Sequence, residues 1–241
     1  MTKLSQGWLS ADLENAILEH ARREAPKECC GYVVGDEYIP VTNVAENPEI
    51  EFRVEAKEAA PLLASGRVRT FVHSHPGGPF GPSKLDMEKQ LQTRLPWTLA
   101  VIDKLGVGYV MSWGAGVPKL PLIGRPFVHG IWDCYECVRD HFAPKGIVLP
   151  PWPRSHLWWA KGDNLYADNF ATYGFVPVAL RDLRADDVIL MQYDAPVLNH
   201  AAVYLGDGRI LHHLADKLSA REPAEVYTSF IKAGTAIRYA K

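Results

Sequence analysis

His73 and His75 stand two apart in His73-Ser74-His75-Pro76, directly after Thr70-Phe71-Val72, a run that reads as a strand. Residues two apart on an extended chain point to one face, so both imidazoles can aim at one point. Ten residues separate His75 from Asp86, and the loop from Pro76 to Pro82 holds three glycines and three prolines. Such a loop can double back. Asp86 then falls on the first turn of a helix starting near Ser83, where Ser83-x-x-Asp86 has the spacing of a capping box. Two histidines and one aspartate suit zinc, with the fourth position left to water, which marks a catalytic rather than a structural ion. Zinc so held makes hydroxide available near neutral pH. A carboxylate must then move protons. Glu28, in Pro26-Lys27-Glu28-Cys29-Cys30-Gly31, is the candidate.

A second constellation centres on Cys134, in Gly130-Ile131-Trp132-Asp133-Cys134-Tyr135-Glu136-Cys137. The spacing predicts a helix from Asp133 to Phe142, which puts Cys134 at its start. There the helix dipole and free N–H groups favour the thiolate. A thiolate nucleophile needs an imidazole partner. His200 opens the strand-like run Asn199-His200-Ala201-Ala202-Val203-Tyr204-Leu205-Gly206, and His212 and His213 lie on the next strand. A strict two-residue turn at Asp207-Gly208 puts His213 on the face of His200. A three-residue loop from Gly206 to Gly208, or a bulge, puts His212 there instead. A redox or zinc role for Cys134-x-x-Cys137 lacks the strand setting or the second spaced pair it requires.

The elements that must position these residues are mixed. Ser10 can cap a helix to about Glu24, with Leu13, Ala16, Ile17 and Ala21 on one face. A second helix covers Glu55 to Ala64. Gly31–Gly35, Trp97–Ile102 and Tyr109–Trp113 read as strands. In the second half, one helix precedes strands at Asp187–Met191, Ala201–Leu205 and Arg209–Leu214. The absence of regular βαβ alternation points to α+β. Residues 118–126 carry three prolines and a glycine and read as a linker between domains at 1–117 and 127–241. The 241 residues are ample for two cores. A net charge of -2 argues against a nucleic-acid partner. The opening residues have no long apolar stretch, so neither a secretory leader nor membrane insertion is expected. Four cysteines are too few for a disulfide scaffold.

Glu28, His73, His75, Ser83 and Asp86 together resemble the JAMM (MPN-plus) metalloprotease motif over roughly residues 10 to 115. The resemblance implies a zinc ion on His73, His75 and Asp86. It implies Glu28 as general acid/base and Ser83 as a hydrogen-bond donor to the oxyanion. Residues 127 to 235 resemble the NlpC-type papain-like cysteine peptidases, which implies Cys134 as nucleophile, His200 as base and His212 as the orienting residue. Two departures concern the oxyanion hole. No tyrosine lies between Pro121 and Trp132, and Tyr135 replaces the usual small residue after Asp-Cys. A JAMM domain followed by an NlpC-type domain resembles the tail assembly protein K family of lambda-like bacteriophages. That implies a tail-tip assembly factor, partnered by other tail-tip proteins and made in the bacterial cytoplasm, with the virion tail tip as a further location. Its substrates would be peptide or isopeptide bonds in tail proteins or peptidoglycan. The alternatives are a non-enzymatic assembly scaffold and a bacterial cell-wall endopeptidase.

Overall fold

Ser10 accepts the Leu13 N–H at 3.3 Å and starts α1 (Ala11–Glu24). Leu13, Ile17 and Ala21 are buried and recur at helical spacing, so one stripe of α1 must find an apolar partner. The partner is a five-stranded sheet of β1 (Cys30–Val34), β2 (Glu37–Val41), β3 (Val68–Pro76), β4 (Trp97–Ile102) and β5 (Gly108–Trp113). Its order is β2-β1-β3-β4-β5, with β3 and β4 parallel and the other pairs antiparallel. Cys29, Val33, Val72, Ala100 and Ile102 pack under α1. The other face holds Cys30, Tyr32, Phe71 and Trp97, joined by Phe52 and Val54. Helices α2 (Ala56–Ala64) and α3 (Lys84–Thr93) complete this unit. The structure is a computed structural model describing residues 6–232 and 235–240. It divides into compact units Met1–Leu120 and Pro121–Lys241.

The second unit begins with a proline-rich stretch that is partly paired. Gly124 donates to the Ser219 carbonyl at 2.8 Å, and Arg125 N–H donates to Ser219 Oγ at 3.0 Å. Helix α4 (Cys134–Phe142) follows. Asp133 caps it, one carboxylate oxygen accepting the N–H groups of Tyr135 and Glu136, each at 3.1 Å. The other oxygen accepts from Gly130 N–H at 2.8 Å and from Arg154 Nη2. Tyr135, Val138 and Phe142 bury one side of α4. The Tyr135 ring stacks on Trp152 at 3.8 Å, and its hydroxyl donates to the Pro150 carbonyl at 2.6 Å. Trp158, Phe170 and Tyr166, the last on α5 (Leu165–Asn169), extend this aromatic core.

Six antiparallel strands back it: β6 (Phe175–Val178), β7 (Val188–Met191), β8 (His200–Tyr204), β9 (Arg209–His212), β10 (Ala220–Pro223) and β11 (Thr235–Tyr239). Their order is β10-β9-β8-β7-β11-β6, and α6 (Thr228–Lys232) precedes β11. Leu205 N–H bonds the Arg209 carbonyl at 2.9 Å, so Gly206-Asp207-Gly208 is a three-residue loop. Gly206 and Gly208 take φ of +92° and +78°, a region open to glycine at little cost. Among the described residues no helix is long and apolar enough to cross a membrane.

Burial alone would raise the pKa of Asp133. The charge of Arg154, His129, the Arg154 hydrogen bond and Gly130 N–H outweigh burial and hold the carboxyl well below the ordinary range. Arg154 is itself buried, donates to the Trp152 carbonyl at 2.7 Å and covers the Tyr135 ring. Arg154→Met is therefore expected to destabilise the second unit by about 3–5 kcal/mol, the cost of stranding a buried charge. The sign of its pH dependence follows from the depressed pKa. Stabilisation by ionised Asp133 is complete above the ordinary carboxyl pKa of about 4 and fades as pH falls below it. Urea unfolding should show the gap between wild type and variant widest at neutral pH and narrowing in acid.

Candidate functional sites

β3 brings the two histidines together through strand alternation. His73 sits opposite Cys30 on β1 and Leu99 on β4, and His75 opposite Val101. Both point to the face away from α1, where Phe52 lies 4.9 Å and Trp97 5.5 Å from His73, ring to ring. α3 delivers Asp86. Its carboxylate accepts Ser83 N–H at 2.7 Å while Ser83 Oγ accepts Asp86 N–H at 3.1 Å, the reciprocal cap expected from the spacing. Ser83 Oγ thus spends a lone pair on the helix. Asp86 oxygens lie 3.5 Å from His73 Nε2 and 3.5 Å from His75 Nε2. Two ligand atoms each about 2.0–2.1 Å from a tetrahedral zinc stand about 3.4 Å apart. One ligand atom from each of His73, His75 and Asp86 fits within a 4.8 Å span.

His73 is fully buried, and neither ring nitrogen has a hydrogen-bond partner among the described residues. A histidine kept only for packing would be satisfied. His75 Nδ1 faces the Pro79 carbonyl at 3.2 Å. A carbonyl only accepts, so the proton sits on Nδ1 and Nε2 offers its lone pair, the arrangement that orients a metal ligand. Glu28 Oε1 lies 3.7 Å from His75 Nε2. Its backbone is clamped, the N–H donating to the Pro48 carbonyl at 2.6 Å and the carbonyl accepting from Asn43 Nδ2 at 2.9 Å.

The charges in this site diverge. Burial would raise Asp86, but the charge of His73, the close contacts with His73 and His75 and the cap from Ser83 hold it below the carboxylate range. Burial pushes Glu28 up to about 7, helped by Asp86 and Glu51 and opposed by His75. One carboxylate stays ionised and the other can exchange protons near neutrality.

In the second unit Cys134 opens α4 and lies against β8. Its Sγ is 4.0 Å from the Asn199 carbonyl and takes a backbone hydrogen bond from Ala201, the residues on either side of His200. His200 Nε2 meets His212 Nδ1 at 3.1 Å. His212 pairs with Ala202 across β8 and β9, so the three-residue loop puts it on the face of His200. His213 points elsewhere, packing on Phe127 and bonding the Lys217 carbonyl at 3.2 Å.

Three features lay beyond the sequence reading. Tyr166 Oη lies 3.1 Å from Cys134 Sγ. A tyrosine hydroxyl therefore reaches the Cys134 sulfur from 32 residues downstream rather than from the stretch before it. Tyr135, in place of a small residue, turns into the core against Trp152. Glu222 Oε2 accepts from His212 Nε2 at 2.8 Å. The expectation of a favoured thiolate also needs revision. Burial and the charge of Asp133 push Cys134 up to about 11, against hydrogen bonds from Tyr166 and Ala201. Burial, with His212 and His213, pushes His200 down to about 3. The resting pair is a neutral thiol and a neutral imidazole. Other histidines also have partners: His20 bonds Tyr38 at 2.8 Å, His129 the Arg154 carbonyl at 3.1 Å and His141 Asp186 at 2.7 Å.

The family model for prokaryotic homologs of the JAB domain matches residues 10–115, and the NlpC/P60 family model matches residues 112–234. Tail tip assembly protein K of Escherichia phage lambda is 41% identical over 157 residues, covering 65% of this chain and 75% of the relative. Tail tip assembly protein K of Escherichia phage N15 is 33% identical over 225 residues, covering 87% of each chain. A CysO-cysteine peptidase of Mycobacterium tuberculosis is 32% identical over 92 residues, covering 33% of this chain and 62% of the relative. With a JAB-type domain ahead of an NlpC/P60 domain, and this likeness extending over most of both phage proteins, the chain belongs to the tail tip assembly protein K family.

Proposed function

We propose that the protein acts in tail-tip assembly as a hydrolase with two sites, a zinc peptidase in the first unit and a cysteine peptidase in the second. The partners are other tail-tip proteins, and the bonds cut are peptide or isopeptide bonds in those proteins or in peptidoglycan. The place of action is the bacterial cytoplasm during assembly, then the virion tail tip. One observation carries the reading. A fully buried His73 keeps both ring nitrogens without a hydrogen-bond partner among the described residues, beside His75 and an ionised Asp86.

In the first unit His73, His75 and Asp86 would hold zinc, which would supply Lewis acidity at the scissile bond. Glu28 takes a proton from the attacking water and returns it to the departing amine. Ser83 Oγ–H donates to the oxygen that gains charge. In the second unit His200 takes the Cys134 proton as Sγ attacks the carbonyl carbon. It gives that proton to the leaving nitrogen as the thioester forms, and water attack then releases the acid and restores the thiol. Tyr166 Oη–H, already at the sulfur, donates to the oxyanion.

Assembly without hydrolysis is a second reading, favoured by the neutral resting state of Cys134 and His200. Separate His75→Ala and Cys134→Ala phages decide between them. The peptidase reading expects about one zinc per chain in the wild type and none in His75→Ala, by elemental analysis. It also expects loss of plaques and of tail-protein or peptidoglycan cleavage in each variant. Normal plaques and unchanged cleavage in both would leave the scaffold reading. Tyr166→Phe is expected to slow the second site by about 10²–10³ in kcat, as loss of one oxyanion donor does, with KM little changed. A KM effect alone would show that Tyr166 only lines the site.

A further inference from the structure

The hydrogen bonds of the second site continue past His212. His200 on β8, His212 on β9 and Glu222 on β10 lie on one face of three adjacent strands. Ala202 pairs with His212, and Ile210 pairs with Glu222. Glu222 therefore falls diagonally beside His212. His212 Nε2 and Tyr227 Oη both bond the same oxygen, Glu222 Oε2. The Tyr227 ring also lies edge-on against His212, centroids 4.7 Å apart.

We infer that Glu222 is a positioning residue of the cysteine peptidase site, which fixes the tautomer of His212 and through it that of His200, so that His200 presents a free Nδ1 lone pair to the thiol. The inference rests on the peptidase reading of Cys134 and His200. The chemistry allows one proton arrangement. A carboxylate only accepts, so Tyr227 O–H and His212 Nε2–H must both donate to it. The Tyr227 hydrogen bond, outweighing the opposing effect of burial, keeps Glu222 below its ordinary pKa, and His212 adds to this. Burial keeps His212 neutral against the pull of Glu222, so its Nδ1 carries a lone pair and not a proton. That lone pair faces His200 Nε2, which must therefore donate. Neutral His200 then has its only free lone pair on Nδ1. The opposite tautomer would leave His200 protonated on Nδ1 and unable to act as a base. A third residue that merely held the ring would allow either arrangement. The carboxylate permits one.

When His200 takes the thiol proton it becomes an imidazolium. Its Nε2–H then donates to His212 while Glu222 places a negative charge at the far end of the relay. Among the described residues, the other charged or titratable groups near these are Asp133, His213 and Tyr193 at His200, Lys217 at His212 and Glu222, and Asp133, Tyr166 and Arg154 at Cys134.

The test uses the full chain and needs no substrate. Long-range ¹H–¹⁵N spectra should show His200 and His212 each protonated on Nε2 and bare on Nδ1. Glu222→Gln, whose amide can donate or accept, should mix the two tautomers of His212. It should also slow iodoacetamide alkylation of Cys134 at pH 7 about tenfold, the loss of thiolate for one unit of apparent pKa. Peptide mass spectrometry reads Cys134 apart from the other three cysteines, which are buried. Glu222→Asp keeps an acceptor-only group and should restore the single tautomer. Tyr227→Phe keeps the carboxylate and should leave the tautomers unchanged, which serves if the glutamine variant fails to fold. A wild-type His212 protonated on Nδ1, or unchanged tautomers and alkylation in Glu222→Gln, would overturn the inference. Cys134→Ala that leaves cleavage intact would overturn the peptidase reading alone.

Discussion

A helix cannot leave its first N–H groups unpaired, and both sites grow from the way this chain pairs them. At α3 the solution is reciprocal, with Ser83 capping Asp86 and Asp86 capping Ser83. The bond that ends the helix also fixes the carboxylate that faces His73 and His75. At α4 the solution is Asp133, with one oxygen on two helix N–H groups and the other on Gly130 and Arg154. Cys134 follows immediately, so the cap sets where its sulfur lies. In each unit a candidate site residue sits at a capped helix start, and strands carry histidines to the same region.

The strands contribute parity. Alternation on β3 puts His73 and His75 on one face without help from elsewhere in the chain. In the second unit the histidines come from adjacent strands, and parity depends on the loop between them. Three residues in the loop place His212 opposite Ala202 and on the face of His200. One residue fewer would turn it away. Gly206 and Gly208, both at positive φ, let that loop close without strain.

This difference explains what was legible in the sequence. The His73/His75 pair and the Ser83–Asp86 box are local patterns, each contained within four residues, and the structure forms both, whereas Asp133, expected inside the helix, is its cap. The two candidate placements of His212 depended on loop geometry, and composition could not choose between them. Glu222 lies on a strand that sequence patterning did not mark, since Ala220-Arg221-Glu222-Pro223 has no apolar alternation. Tyr166 sits on a five-residue helix, too short to announce itself. Neither has a local reason to be near its partner, and only the packing of α4 and α5 and the order β10-β9-β8 bring them in. The tryptophans behave similarly. Trp152 and Trp158 fill the core behind α4, while Trp97 packs beside His73.

The thiolate expectation failed for a related reason. A helix N-terminus favours an anion locally. The same cap, however, is a buried carboxylate next to the sulfur, and its charge adds to burial in opposing ionisation. The device that positions Cys134 therefore also restrains it. Arg154 absorbs part of that negative charge through its contact with Asp133. In the proposed peptidase, proton removal then depends on a base whose lone pair is already aimed, because burial keeps both partners neutral. The first site solves the same problem differently, with Asp86 kept ionised and Glu28 raised to about 7. There burial and neighbouring charges separate two carboxylates, one held ionised and one raised toward neutrality, which suits the anion and the proton carrier of the proposed metal site. In the second unit a chain of two histidines and a carboxylate does the equivalent work by fixing protons on particular nitrogens.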